Sequence, residues 1–197
     1  MATKLATPGV YVEEKSSFGN TVVSVPTAVP AFVGYTEKAS NATKDLTNVP
    51  TRITSFSEYI DLFGGPSKTK FEITSDEDSS FKLKMVKSTR FMMYDSLRLF
   101  FNNGGSECYI VSTGAYSSGL NSKKIYDKKS NGGIVALEKH LEPTILVVPD
   151  ATLFSQNECY AIQAEMLAHC GHKMKNRFAI LDVYNGTNAR THSDDCL

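Results

Sequence analysis

The spacing of apolar positions changes several times along this 197-residue chain, and each change marks an expected element. Near the amino terminus Val10 and Val12 alternate with Tyr11 and Glu13, the two-residue period of a strand with one buried face. Pro8 fixes φ and Gly9 permits a turn, so a helix cannot begin there. No tight two-residue turn folds this segment back on the next stretch of chain. Its backbone is therefore available to a sheet edge elsewhere, including one on another subunit. Residues 1–24 read as an extended strand-donor arm, with Pro8, Gly9, Val10, Tyr11, Val12, Glu13 and Glu14 as its pairing segment. Ser17, Phe18, Gly19 and Asn20 form a polar hinge behind it.

Residues 25–113 read as a first α/β portion. The mostly apolar run Thr27 to Tyr35 predicts a strand buried on both faces, followed by a polar loop over Lys38 to Asn48. Ser55 or Ser57 caps a short helix carrying Phe56, Tyr59, Ile60, Leu62 and Phe63, and Gly64-Gly65-Pro66 stops it. Ser67 to Ser80 has no clear period and reads as a loop, or a weak strand around Phe71-Glu72-Ile73. Met93, Leu97, Phe100 and Phe101 stand at helical spacing and predict a helix from about Thr89 to Asn102, with Gly104 or Gly105 as its left-handed cap. Glu107 to Ser112 is the next strand.

Residues 114–133, rich in Ser, Gly, Lys and Asn, read as an exposed connection or insertion. Across 134–197 the pattern is cleaner: a helix over Gly133 to Leu141, a strand over Thr144 to Val148, a helix over Asn157 to His169 ended by Gly171, and a strand over Phe178 to Val183. Strand, helix, strand is the mark of a parallel crossover. The expected fold class is α/β: a mixed sheet with flanking helices, preceded by the extended arm.

Charge changes this picture by exclusion. Twenty-one acidic and 21 basic side chains balance, so no global field draws the chain to nucleic acid or an anionic membrane. The apolar runs are too short for a membrane span, the amino terminus has no hydrophobic signal core, and cytoplasmic synthesis is expected. Four scattered cysteines, Cys108, Cys159, Cys170 and Cys196, fit a reducing compartment.

The candidate chemistry is thin. His169-Cys170-Gly171-His172, with His192 and Cys196, offers zinc-type ligands, but the spacing matches no closed module. The two histidines, with Lys173, Lys175 and Arg177, equally suit a helix carboxy terminus, where cationic or hydrogen-bonding side chains are favourable. Gly64-Gly65-Pro66-Ser67-Lys68-Thr69 lacks the spacing of a phosphate loop, and its proline removes a backbone donor. Asn102-Asn103-Gly104-Gly105 follows a helix and precedes a strand, the reverse of a dinucleotide fingerprint. Glu13-Glu14, Asp76-Glu77-Asp78 and Asp194-Asp195 are adjacent carboxylates of solvated type. Asp150 and Asp182 stand at the carboxyl ends of apolar strands, where α/β folds place ligands; Asp150 also reads as a cap for the following helix.

Five blocks in order carry a family resemblance: Pro8 to Glu14 with Val25 to Thr36, Ile53 to Gly65, Leu97 to Val111, Pro143 to Ala151, and Arg177 to Asp182. Together they resemble the amino-terminal portion of contractile tail sheath proteins of phages and related injection systems. The resemblance implies a non-enzymatic structural subunit that polymerises into stacked helical rings, with arms adding strands to neighbouring sheets. It implies a homo-oligomer meeting an inner tube protein and baseplate and terminator proteins, with no cofactor, catalytic residue or metal. In that family the chain runs on into a tube-facing part, so this sequence is expected to be an amino-terminal portion or a shortened paralogue. The alternatives are a terminator or baseplate-side accessory of the same particle, and a soluble α/β enzyme using Asp150 and Asp182.

Overall fold

The structure, a computed structural model, describes residues 28–75 and 81–186. The arm residues Pro8 to Glu14 and the hinge Ser17 to Asn20 lie outside them. The framework is a five-stranded sheet in the order β4-β7-β1-β8-β9: β1 Pro30–Thr36, β4 Thr51–Ile53, β7 Cys108–Ala115, β8 Ile145–Val147 and β9 Phe178–Ile180. Strands β7, β1, β8 and β9 are mutually parallel, and β4 runs antiparallel to β7 at one edge. Strands β2 Ser40–Asn41 and β3 Lys44–Asp45 form a small hairpin in the polar loop after β1. The mixed α/β class expected from the sequence is the one observed.

Every residue of β1 is buried, as a mostly apolar run requires of a central strand covered on both faces. Ala31, Val33 and Tyr35 face one apolar layer, with Val111, Ile134, Leu137, Leu146, Ile162 and Met166 among its members. Phe32 faces the other, with Ile53, Tyr59, Phe63, Met93, Leu97 and Ile110. The second layer is built by helices α1 Phe56–Phe63 and α2 Met93–Asn102; the first by α3 Lys123–Tyr126 and α4 Gln156–Ala168 with the turns around them.

The helix ends follow local chemistry. The Ser55 hydroxyl accepts the Glu58 N–H at the start of α1, and Gly64, at φ 87°, donates back to the Ile60 carbonyl at its end. Past α2, Gly104 stands at φ 88°, its N–H on Phe101 O and that of Gly105 on Phe100 O, the paired bonds of a Schellman cap. For α4 the cap is Ser155, whose N–H and hydroxyl both donate to the Glu158 carboxylate, so Asp150 does not cap this helix.

Several boundaries differ from expectation. Helix α2 begins at Met93, because Lys87–Thr89 forms a separate 3-10 turn ahead of it. Gly133–Lys139 winds as a 3-10 helix, entered through Gly133 at φ 57° with the Ile125 carbonyl packed where a side chain would stand. The stretch read as an exposed connection sends Ser122 and Ile125 into the interior, while Lys123 stays in solvent. Gly171 does not end α4: the helix widens into a π turn over His169–Met174, and Lys175 at φ 58° takes the left-handed position. Arg177 is not a solvated cation beyond a helix end either. It is buried, donating to the carbonyls of Leu137 and His140 and to Asn176 Oδ1, and so caps the Gly133–Lys139 turn from across the chain.

Strand β5 Phe71–Ser75 is real and pairs antiparallel with β6 Phe81–Met85, a partner the sequence pattern did not reveal. Two leucines separate core from surface: Leu146 is fully buried between β1 and β9, and Leu141 stands in solvent. Leu146→Ala is expected to lower unfolding free energy by about 2–5 kcal/mol and Leu141→Ala by less than about 0.5, read from urea denaturation midpoints.

Candidate assembly surfaces

The connection from β1 to β7 moves one way across the sheet and the connection from β7 to β8 moves the other, so the order reverses between β1 and β8. The crevice beyond the carboxyl ends of those strands is where open α/β sheets take ligands. There the chain buries one of its own carboxylates. Asp150, in a 3-10 turn at Pro149–Leu153 after β8, is fully buried. Its Oδ2 accepts the Tyr35 N–H at 3.0 Å and its Oδ1 the Met92 N–H at 2.7 Å, at the threshold of α2. Gly34 is needed beside it, since a Cβ there would lie 2.7 Å from Oδ2 and 3.0 Å from Met93 Cε. Around this point Tyr35 exchanges two bonds with Asn121, donating to its carbonyl and accepting its N–H, and Thr36 Oγ1 meets Ser112 Oγ at 2.6 Å.

Burial pushes the Asp150 carboxyl up to about 6, with the two N–H donors holding it back. The other strand-end carboxylate does not join it: Asp182 lies past the end of β9, exposed, with its main-chain carbonyl accepting from Gln163 Nε2. His169 is buried beside Arg177, its Nε2 3.3 Å from Nη1. Burial, then the guanidinium, push the imidazole down to about 4, so at neutral pH it carries no charge and the cationic helix-end role expected of it does not hold. Burial likewise pushes the Cys108 thiol up to about 12 and raises that of Cys170. Among the described residues no group of three or more His, Cys, Asp or Glu is placed to hold a metal ion; His192 and Cys196 lie outside them. Gly64-Gly65-Pro66 is the turn after α1, where Gly65 N–H donates to Glu37 Oε2.

What the body does present is surface for contact. The β5–β6 hairpin places Phe71 opposite Met85, Ile73 opposite Leu83 and Ser75 opposite Phe81, so these six share one face, while Glu72, Thr74, Lys82 and Lys84 share the other. Both strands are exposed along nearly their whole length. A second apolar strip follows β9, with Phe178, Ile180 and Val183 exposed. Strand β9 bonds only β8 in the sheet, leaving its far edge open among the described residues. The hairpin face is legible only after the Phe71–Ser75 and Phe81–Met85 segments are paired; read singly, each is a short alternating run among charges.

No family model and no curated protein matches the chain. Among solved structures it is similar to the helical sheath of the anti-feeding prophage, determined by cryo-electron microscopy in the contracted state, with a TM-score of 0.54 and 27% identity over 92% of this chain. The fold is sheath-like. The chain spans 41% of the length of that sheath protein. Among the described residues of this sheath-like body, no helix is long and apolar enough to cross a membrane.

Because the folded-state pKa of Asp150 lies above the value of about 3.9 for an unfolded aspartate, its protonated form is favoured by folding. Its contribution is therefore largest below pH 4 and is lost as pH rises through about 6. The urea midpoint of the wild type relative to that of Asp150→Asn is expected to fall between pH 4 and 8, a difference in which the opposite contribution of His169, common to both proteins, cancels; parallel profiles would contradict it.

Proposed function

We propose that this chain is the amino-terminal body of a structural subunit of a contractile sheath, surrounding the inner tube of a phage tail or phage-like injection particle. The observation that carries the reading is the likeness to a contracted helical sheath over 92% of the chain. The role of the strand-end carboxylate supports it further, because both Asp150 oxygens are engaged by main-chain N–H groups of the chain's own fold.

In this reading, residues 1–24 are the strand-donor arm, 25–113 and 134–197 form the body, and 114–133 connect them. Pro8 to Glu14 add a strand to a neighbouring subunit's sheet, with Val10 and Val12 on its apolar layer and Tyr11 and Glu13 outward, or in the reverse register. The hinge at Ser17, Phe18, Gly19 and Asn20 keeps neighbours joined while rigid bodies rotate. The subunits polymerise into stacked helical rings, and contraction drives the tube into a target. Energy resides in the extended lattice and is released on passing to a better-packed one, so no cofactor and no nucleotide are involved. The partners are further copies of the chain, the tube protein, and baseplate and terminator proteins, assembled in the cytoplasm without nucleic acid or membrane insertion.

Antibody raised against this chain, applied with immunogold to lysate of the native source, is expected to decorate striated rods along their whole length. Gold at one rod end only would assign a terminator or baseplate-side role, and soluble antigen with bare rods would remove the sheath reading. Deleting residues 1–20 is expected to leave the circular dichroism spectrum of the body intact while abolishing polymers in negative-stain micrographs; long tubes from the deleted chain would refute the strand-donor role of the arm.

A further inference from the structure

The two poles of the body carry unlike apolar features. Helix α2 starts at Met93, its N-cap Met92 beside the carboxyl end of β1, and ends at Asn102, so it runs back toward the start of that strand. The β5–β6 hairpin is rooted at the first pole. Phe91, just past the hairpin, packs its ring on Tyr35 and Tyr116, and its N–H donates to Ser67 Oγ; Lys70 N–H donates to Thr89 Oγ1 across the hairpin base. At the opposite pole a concavity of about 540 Å³ opens between Ala28, ahead of β1, and the end of α2, lined by Leu99, Phe100, Gly104 and Gly105.

The hairpin face is too apolar for a surface left to water. Phe71, Ile73, Phe81 and Leu83 are 55%, 69%, 78% and 67% exposed. Such a face amounts to roughly 500 Å² by ordinary side-chain areas, at the upper range of apolar patches on monomers and more than half of the ~800 Å² that each partner contributes to a stable interface. A lone two-stranded ribbon is also marginal in water, and gains stability when its apolar face is covered. At the far pole Leu99 is 66% exposed over the concavity, and Gly104, with nothing within 4 Å of where a Cβ would stand, allows close approach.

Resting on the sheath reading, we infer that the occupant of the hairpin face is a second copy of this chain: the Phe71, Ile73, Leu83 and Phe81 face of one subunit seats on the Leu99–Phe100–Gly104 concavity of the next. A protrusion at one pole and a hollow at the other make a head-to-tail contact, which does not close on itself as a two-fold pair does and propagates as an open filament. The hairpin is thus a longitudinal coupler between bodies, separate from the arm.

The test uses the full chain with Cys196→Ser, carrying Phe81→Cys, Leu99→Cys or both. Each position is exposed, and circular dichroism checks that the fold is retained. Under oxidised glutathione, a mixture of the two single variants is expected to yield a cross-linked heterodimer and the double variant a ladder, with rods still visible by electron microscopy. Before assembly, Leu99→Cys should react with a maleimide as fast as an exposed thiol. Phe81→Cys chains that link to one another would overturn the contact in favour of hairpin facing hairpin. Slow labelling of Leu99→Cys in the monomer would overturn it in favour of the chain's own amino-terminal segment. Rods without the Phe81–Leu99 product would overturn the contact and leave the sheath reading standing, whereas monomers without rods or ladder would remove both.

Discussion

Two hydrogen bonds to one buried carboxylate hold this fold at its centre. Asp150 reaches from the turn after β8 to the main chain of β1 and to the first turn of α2, joining three segments that lie as far as 115 residues apart. Backbone N–H groups at a helix start and a strand end need acceptors, and here one side chain serves both. The consequences spread outward. Position 34 has no room for a side chain, and α2 is held with its far end at the opposite pole of the sheet. The carboxylate that sequence position marked as a possible reactive group thus serves the main chain, accepting the Tyr35 and Met92 N–H groups.

The elements most legible in the sequence were those whose period and punctuation agree. The run ending at Tyr35, the Ser55-capped helix stopped by Gly64, and the strand, helix, strand unit before Ile180 all combine a clear apolar pattern with a capping residue or breaker. What failed was local chemistry overridden from a distance. Gly171 has the right composition for a helix stop, yet the chain winds on through a π turn and spends its left-handed conformation on Lys175. Arg177 reads in sequence as a cation after a helix end and is buried instead, because it is drawn inward to carbonyls at Leu137 and His140 about 40 residues earlier. No window of sequence contains both ends of such a bond.

The surfaces divide in the same way. The exposed apolar hairpin of the body was not visible in the sequence, because its face exists only in the register that sets Ile73 against Leu83. Interior positions announce themselves by being apolar; contact surfaces are apolar positions that the rest of the fold fails to cover, and that is knowable only once the fold is built.

The position of β1 has a consequence for how the chain is made. This first described strand lies at the middle of the sheet, between β7 and β8, and all seven of its residues are buried by partners that are encoded much later. At about 5–20 residues per second, the 115 residues separating Tyr35 from Asp150 take on the order of ten seconds to leave the ribosome. Until β7 has been made this mostly apolar strand has no sheet neighbour, and until β8 follows its other edge stays unpaired, so it is open to chaperones or to wrong pairing. The order of synthesis therefore acts as a timer, since a nascent chain cannot offer finished poles to a growing polymer until translation has passed β8.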